Sequence, residues 1–195
     1  MKKITFYIIC IFCFNSCKNN NTDAAASAEI KGGEEKSTNF FPVTTFIKGQ
    51  ISEIKKNSAN PLKITTTGWH TDSAWLKMED LQTELAPFLQ PLIDTANLTA
   101  IFSERKFLDQ TLDAYTFTYD PLNTLPDSFH LLHWDVYVSP TEGKVTRIYM
   151  LKKLDSATQQ QLTWQSGKWS KIVTLKTTPA GNTVVEKEQM IIWNF

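Results

Sequence analysis

His130 and His133 stand three residues apart in the segment His130-Leu131-Leu132-His133. On a helix the two rings would share a face and could hold a metal; on a strand they point to opposite faces. The following residues, 134–138, alternate in the manner of a strand, so no metal site is expected. His70 is the one remaining histidine, and residues 18–195 contain no cysteine, which leaves too few of the usual ligands for a structural site. Carboxylates are plentiful in the second half: Asp109, Asp113, Asp120, Asp127, Asp135 and Glu142. Glycoside hydrolysis needs two such groups facing each other across a cleft. These six fall at turns or on the polar sides of alternating segments, so none is assigned as catalytic. Gly-x-Ser-x-Gly and glycine-rich phosphate-loop motifs are both missing from the sequence, and with them the usual signatures of an activated serine or a nucleotide cofactor. No cofactor is expected.

Tryptophan is the unusual residue. All six, Trp69, Trp75, Trp134, Trp164, Trp169 and Trp193, lie beyond residue 60. If Ser166-Gly167 is a two-residue hairpin turn, Trp164 faces Trp169 at a non-hydrogen-bonded position, where side chains approach closest. The pair would then form a binding patch for a sugar or a partner protein. Plain core or hairpin packing accounts for it equally simply, and weighs more, because antiparallel sheets bury one face as routine.

The three cysteines are all near the start: Cys10, Cys13 and Cys17. Cys10-x-x-Cys13 has redox spacing, but it lies inside an uncharged apolar run, Ile4 to Phe14, preceded by Lys2 and Lys3. A charged start followed by a short apolar run is the pattern of a signal peptide, and it falls short of the roughly 20 residues needed to span a bilayer. Phe14-Asn15-Ser16-Cys17 resembles the lipobox of bacterial lipoproteins. That resemblance implies cleavage after residue 16 and acylation of Cys17, with the bilayer as partner through the acyl chains. Lys18, where an aspartate would mark inner-membrane retention in Gram-negative sorting, implies the outer membrane.

Residues 1–16 carry two lysines and no acid, so the remaining chain has a net charge of −2. Its charges are interspersed, and nucleic acid is not an expected partner. Residues 18–39 are poor in large apolar side chains and cannot offset their ordering entropy by burial. Together with Cys17 they read as a tether, with a random-coil span of roughly 25 Å. Residues 40–195 read as one domain.

Apolar residues at Val43, Phe46, Ile47, Ile51 and Ile54 predict a helix, with Pro42 suited to its first turn. A second helix is predicted over 77–89, with Met78, Leu81, Leu85 and Phe88 inward and Pro87 as a break or kink. Strands are predicted over 111–119, 130–138, 145–151, 162–165, 169–175 and 183–193, joined by short turns. The expected fold is therefore α+β, with N-terminal helices packed on one face of a C-terminal antiparallel meander of five to six strands. The segment Trp134–Tyr149 is similar to hairpins of exported domains of the PepSY type; the likeness covers that hairpin alone and implies no function. Asp72-Ser73-Ala74, Asp94-Thr95-Ala96 and Asp155-Ser156-Ala157 resemble an O-glycosylation pattern of exported proteins, and are equally ordinary turn and cap sequences.

These features lead to a lipid-anchored component of the cell envelope that binds or assembles without catalysis, with an envelope protein or glycan as partner. The alternative is a glycan-active hydrolase using two carboxylates of the strand-rich half.

Overall fold

Among the described residues, alternating segments fold into one antiparallel sheet of nine strands. The computed structural model describes residues 39–56, 59–126 and 128–194. The expected signal segment and Cys17 lie outside the described residues, as does most of the tether. In chain order the elements are helix α1 (Val43–Lys56), β1 (Leu62–Thr67), β2 (His70–Trp75), a single turn α2 (Leu81–Glu84), a 3₁₀ turn (Ala86–Leu89), β3 (Phe102–Asp109), β4 (Ala114–Pro121), β5 (Leu131–Val138), β6 (Val145–Lys153), β7 (Thr158–Gln165), β8 (Trp169–Thr177) and β9 (Thr183–Ile192).

Across the sheet the strand order is β2-β1-β9-β8-β7-β6-β5-β4-β3. Strands β3 to β9 form a meander, and the β1–β2 hairpin is added beside the last of them. The expected α+β class with N-terminal helices on a five- to six-strand sheet is thereby overturned. Three of the nine strands come from stretches not predicted as strands. In β1 and β2 the residues are half-buried or exposed, so the hydrophobic alternation that marks a strand is weak there. In β3 the run Glu104-Arg105-Lys106 hides the period. The predicted second helix shrinks to one α turn and one 3₁₀ turn, because Pro87 cannot supply a backbone donor to a continuing helix.

One face of the sheet is covered. Val43, Ile47, Ile51 and Ile54 of α1 are buried, as the 3–4 spacing requires. The connection 76–101 runs from the β2 edge to the β3 edge and buries Leu76, Leu81, Leu85, Phe88, Ile93 and Leu98 in the same core. Beneath this layer Tyr119 stacks on Trp134, with ring centroids 4.5 Å apart and planes 7° from parallel. Trp164 meets Phe88 at 5.4 Å and Trp193 at 5.0 Å. Polar contacts also fasten the cover. Thr44 Oγ accepts from the Ile93 N–H at 2.8 Å, and the Lys152 ammonium donates to the carbonyls of Pro87 and Gln90. Burial pulls the pKa of Lys152 down to about 8.

Candidate functional site

The opposite, open face of the sheet is where polar chemistry collects. A β-bulge decides what points there. Between Leu131 and His133 the β5 strand carries one residue more than its partner β6. Leu131 and Trp134 are both fully buried, so the extra residue shifts the alternation and turns His133 to the open side. On β4, Thr118 pairs with Asp135, and Asp120 lies two residues farther along the same face.

His133 sits between two carboxylates. Its Nδ1 is 2.8 Å from Asp120 Oδ1 and its Nε2 is 3.0 Å from Asp135 Oδ2. Arg105 on β3 ion-pairs with the other oxygen of Asp120. Asp135 also accepts from the Thr118 hydroxyl at 2.6 Å and from the Tyr137 hydroxyl at 3.3 Å. Arg147 lies over the Tyr137 ring, 4.1 Å from its centroid. The hydrogen bond to Asp135 raises the pKa of His133; burial opposes it, the bond to Asp120 adds to it, and the net shift is upward. Burial pushes both carboxyls up, but hydrogen bonds from Arg105 and His133 hold Asp120, and those from His133 and Thr118 hold Asp135, below the usual carboxylate range.

In this arrangement each ring nitrogen of His133 is bonded to a carboxylate. A histidine acting as general base needs one ring nitrogen available, and here both are bonded to carboxylates. Two carboxylates acting in glycoside hydrolysis need one with a raised pKa, and here both are lowered. Among the described residues no group of three or more His, Asp and Glu side chains is placed to hold a metal ion. His130 does not join His133; its Nδ1 lies 2.7 Å from the Lys153 carbonyl. Asp109 caps the backbone of Thr111 and Leu112, Glu142 pairs with Lys144, and Asp127 lies outside the described residues.

The tryptophan pair needs correction. Gln165, not Trp164, is opposite Trp169. Lys168 N–H donates to Gln165 O at 3.1 Å, and Gly167 has φ 70°, the value a type II turn requires at its third residue. Lys168 is then left over, and its carbonyl accepts from the Trp193 N–H, just past the end of β9, at 3.1 Å. That extra residue slips the register by one and sends the two indoles to opposite faces. Trp164 is fully buried under the cover. Trp169 lies on the open face.

There Trp169 belongs to a row that crosses the sheet. Trp169 pairs with Ile192, Ile192 with Leu62 and Leu62 with Trp75. One step along the strands, Met190 and Ile64 pair on the same face. None of these six belongs to the core or to the hydrophobic residues packed against it. The sequence marked Trp75 and Trp169 only as tryptophans; Leu62, Ile64, Met190 and Ile192 could have been found only by knowing that the first and last strands are neighbours.

The three Asp-Ser/Thr-Ala sites each serve the backbone. Asp94 accepts from Ala96 and Asn97, Asp155 from Ala157 and Thr158, and Asp72 from Ser73. Among the described residues no helix is long and apolar enough to cross a membrane. Comparisons of the chain with protein-family models, with curated proteins and with solved structures find no match.

Proposed function

We propose that the protein is a lipid-anchored component of the cell envelope, in the outer membrane of a Gram-negative bacterium, whose domain binds or assembles rather than catalyses. The observation that carries the non-catalytic part is the closed state of the Asp120–His133–Asp135 cluster. The densest group of titratable side chains on the open face spends its donors and acceptors on itself. The hydrolase alternative finds no support in the two carboxylates that meet, since a single imidazole lies between them. The anchor part is supported by Phe14-Asn15-Ser16-Cys17 and by the lack of any other cysteine in the chain beyond it. Two or more acyl chains at about 0.8 kcal/mol per buried CH₂ hold a protein firmly on a bilayer.

Detergent-phase partition of native protein and Cys17→Ser is the test. Native protein is expected in the detergent phase and the variant in the aqueous phase. Equal partition of the two would sink the anchor.

A further inference from the structure

The row Trp169–Ile192–Leu62–Trp75, flanked by Met190 and Ile64, is a continuous run of large apolar side chains on the open face. Trp75 is 64% exposed and the other five are half-buried. Two tryptophans with four other apolar side chains on one face can serve as a contact surface, apolar in the body of each ring and polar at its N–H.

Three observations select among occupants. The first is area. Four strands about 4.8 Å apart and two residue steps of about 6.8 Å give a patch on the order of 250 Å², against roughly 800 Å² per partner in a stable protein complex. The patch alone is too small to hold a second protein, a copy of this chain included. The second is what stands between the rings. A glycan laid across two tryptophans needs hydrogen-bonding groups between them, and the intervening Ile192 and Leu62 have none. The third is charge. The six residues include no acid, Glu188 two residues before Met190 is paired with Lys171 at 3.1 Å, and Lys168 stands in the turn next to Trp169.

We infer that this patch rests on the headgroup–acyl boundary of the bilayer and orients the domain against it. Tryptophan suits that boundary because its ring is apolar and its N–H is polar. Aliphatic side chains between two indoles add apolar contact, and a bordering lysine is not repelled by lipid phosphate. The inference rests on the lipid-anchored reading, and that reading supplies what the small area lacks. A tethered patch meets the membrane at high effective concentration, so weak contact suffices to dock it. Phe40 enters the core on the covered face, against Tyr119 and Trp134. The tether's expected span of roughly 25 Å exceeds the roughly 20 Å thickness of a sheet with one helical layer, so the open face can reach the bilayer.

The cysteine count makes the test clean. With Cys17 acylated, a cysteine introduced by Ile192→Cys is the one reactive thiol of the chain after residue 17. It is labelled with an environment-sensitive dye in full-length lipidated protein, reconstituted into phosphatidylethanolamine–phosphatidylglycerol vesicles containing brominated acyl chains. Met190→Cys repeats the measurement should the first variant fold poorly. Val184→Cys, on the same strand outside the patch, is the reference. Quenching at position 192 or 190 is expected to exceed that at 184 at least threefold, and Trp169→Ser should reduce that excess. Equal quenching at the three positions overturns the inference. So does an absence of quenching at 192 and 190, or a dye response there to soluble oligosaccharide or another protein instead of lipid. Failure to enter the vesicles at all is a different result: it removes the acyl anchor, and the orienting role falls with it.

Discussion

The open face of the sheet has two halves of opposite character, one over β3 to β5 and one over β8, β9, β1 and β2. Over β3 to β5, Arg105, Asp120, Asp135 and His133 with Thr118 and Tyr137 bond to one another. Over β8, β9, β1 and β2 the face carries Trp169, Ile192, Leu62 and Trp75, a row that continues across the sheet through Gln165, Arg147 and Tyr137. The first half is rich in reactive groups and directs them inward, toward each other. The second is poor in reactive groups and directs its surface outward. The hydrogen bonds and ion pairs of the first half tie β3, β4 and β5 to one another.

The sharpest test of the comparison sets the covered face against the open one at a single hairpin. Trp164→Ala is expected to cost about 3–5 kcal/mol, as large core truncations do, and Trp169→Ala less than about 1 kcal/mol. Because the rings lie on opposite faces, denaturant titration of the double mutant should show the two effects adding. A coupling near 1 kcal/mol would mean that the indoles touch, and would undo the register.

Within the open face, Asp135→Asn should cost about 1–3 kcal/mol, since it leaves His133, Thr118 and Tyr137 with a poorer acceptor in a largely buried place. Ile192→Ser, in the other half, should change stability by less than half of that. Equal losses would erase the distinction between a closed half and an open one. A smaller effect is expected at the turn that sets the register: Gly167→Ala should cost about 1 kcal/mol, because φ 70° disfavours any residue with a Cβ.

The gentlest probe is pH. His133 has a folded pKa above its ordinary 6.5, so its contribution to stability is complete below pH 6.5 and is lost as pH rises through the folded value. Asp120 and Asp135, with lowered pKa values, stay ionised throughout that window. Thermal melts from pH 6 to 7.5 should therefore show falling stability, and His133→Gln should flatten the trend. The window stops short of about 8, the midpoint at which Lys152 loses its proton and above which that loss turns stability upward. An unchanged slope in His133→Gln would place the titration elsewhere.

Much of this was legible in the sequence where one face of an element is buried. The spacing of Val43, Ile47, Ile51 and Ile54 gives α1 its core-facing side, and Tyr115, Phe117 and Tyr119 do lie on one face of β4, with Tyr119 fully buried. Strands with no fully buried side carry no such period, so β1 and β2 were hidden. Their one strong local signal is Gly68, whose φ of 57° begins a two-residue turn with Trp69. The cluster around His133 was legible as a set of residue types but not as a meeting. Its members come from three strands, and one is aimed by a bulge that no alternation pattern marks. The Trp164–Trp169 pairing failed on one residue, Lys168, whose carbonyl bonds to Trp193, far along the chain.

The strand order carries a consequence for how the molecule is assembled in time. The hairpin β1–β2 closes across two residues and can form early, yet its neighbour in the sheet is β9, with Leu62 beside Ile192. An isolated two-stranded hairpin is marginal in water, so it waits for the most distant part of the chain before it is held. Contacts of such long sequence separation slow folding. Shortening the chain by residues 183–194 would not trim an edge. It would remove a strand from the interior of the sheet, cut β1 and β2 loose, and leave β8 as a new unpaired margin open to association with other chains.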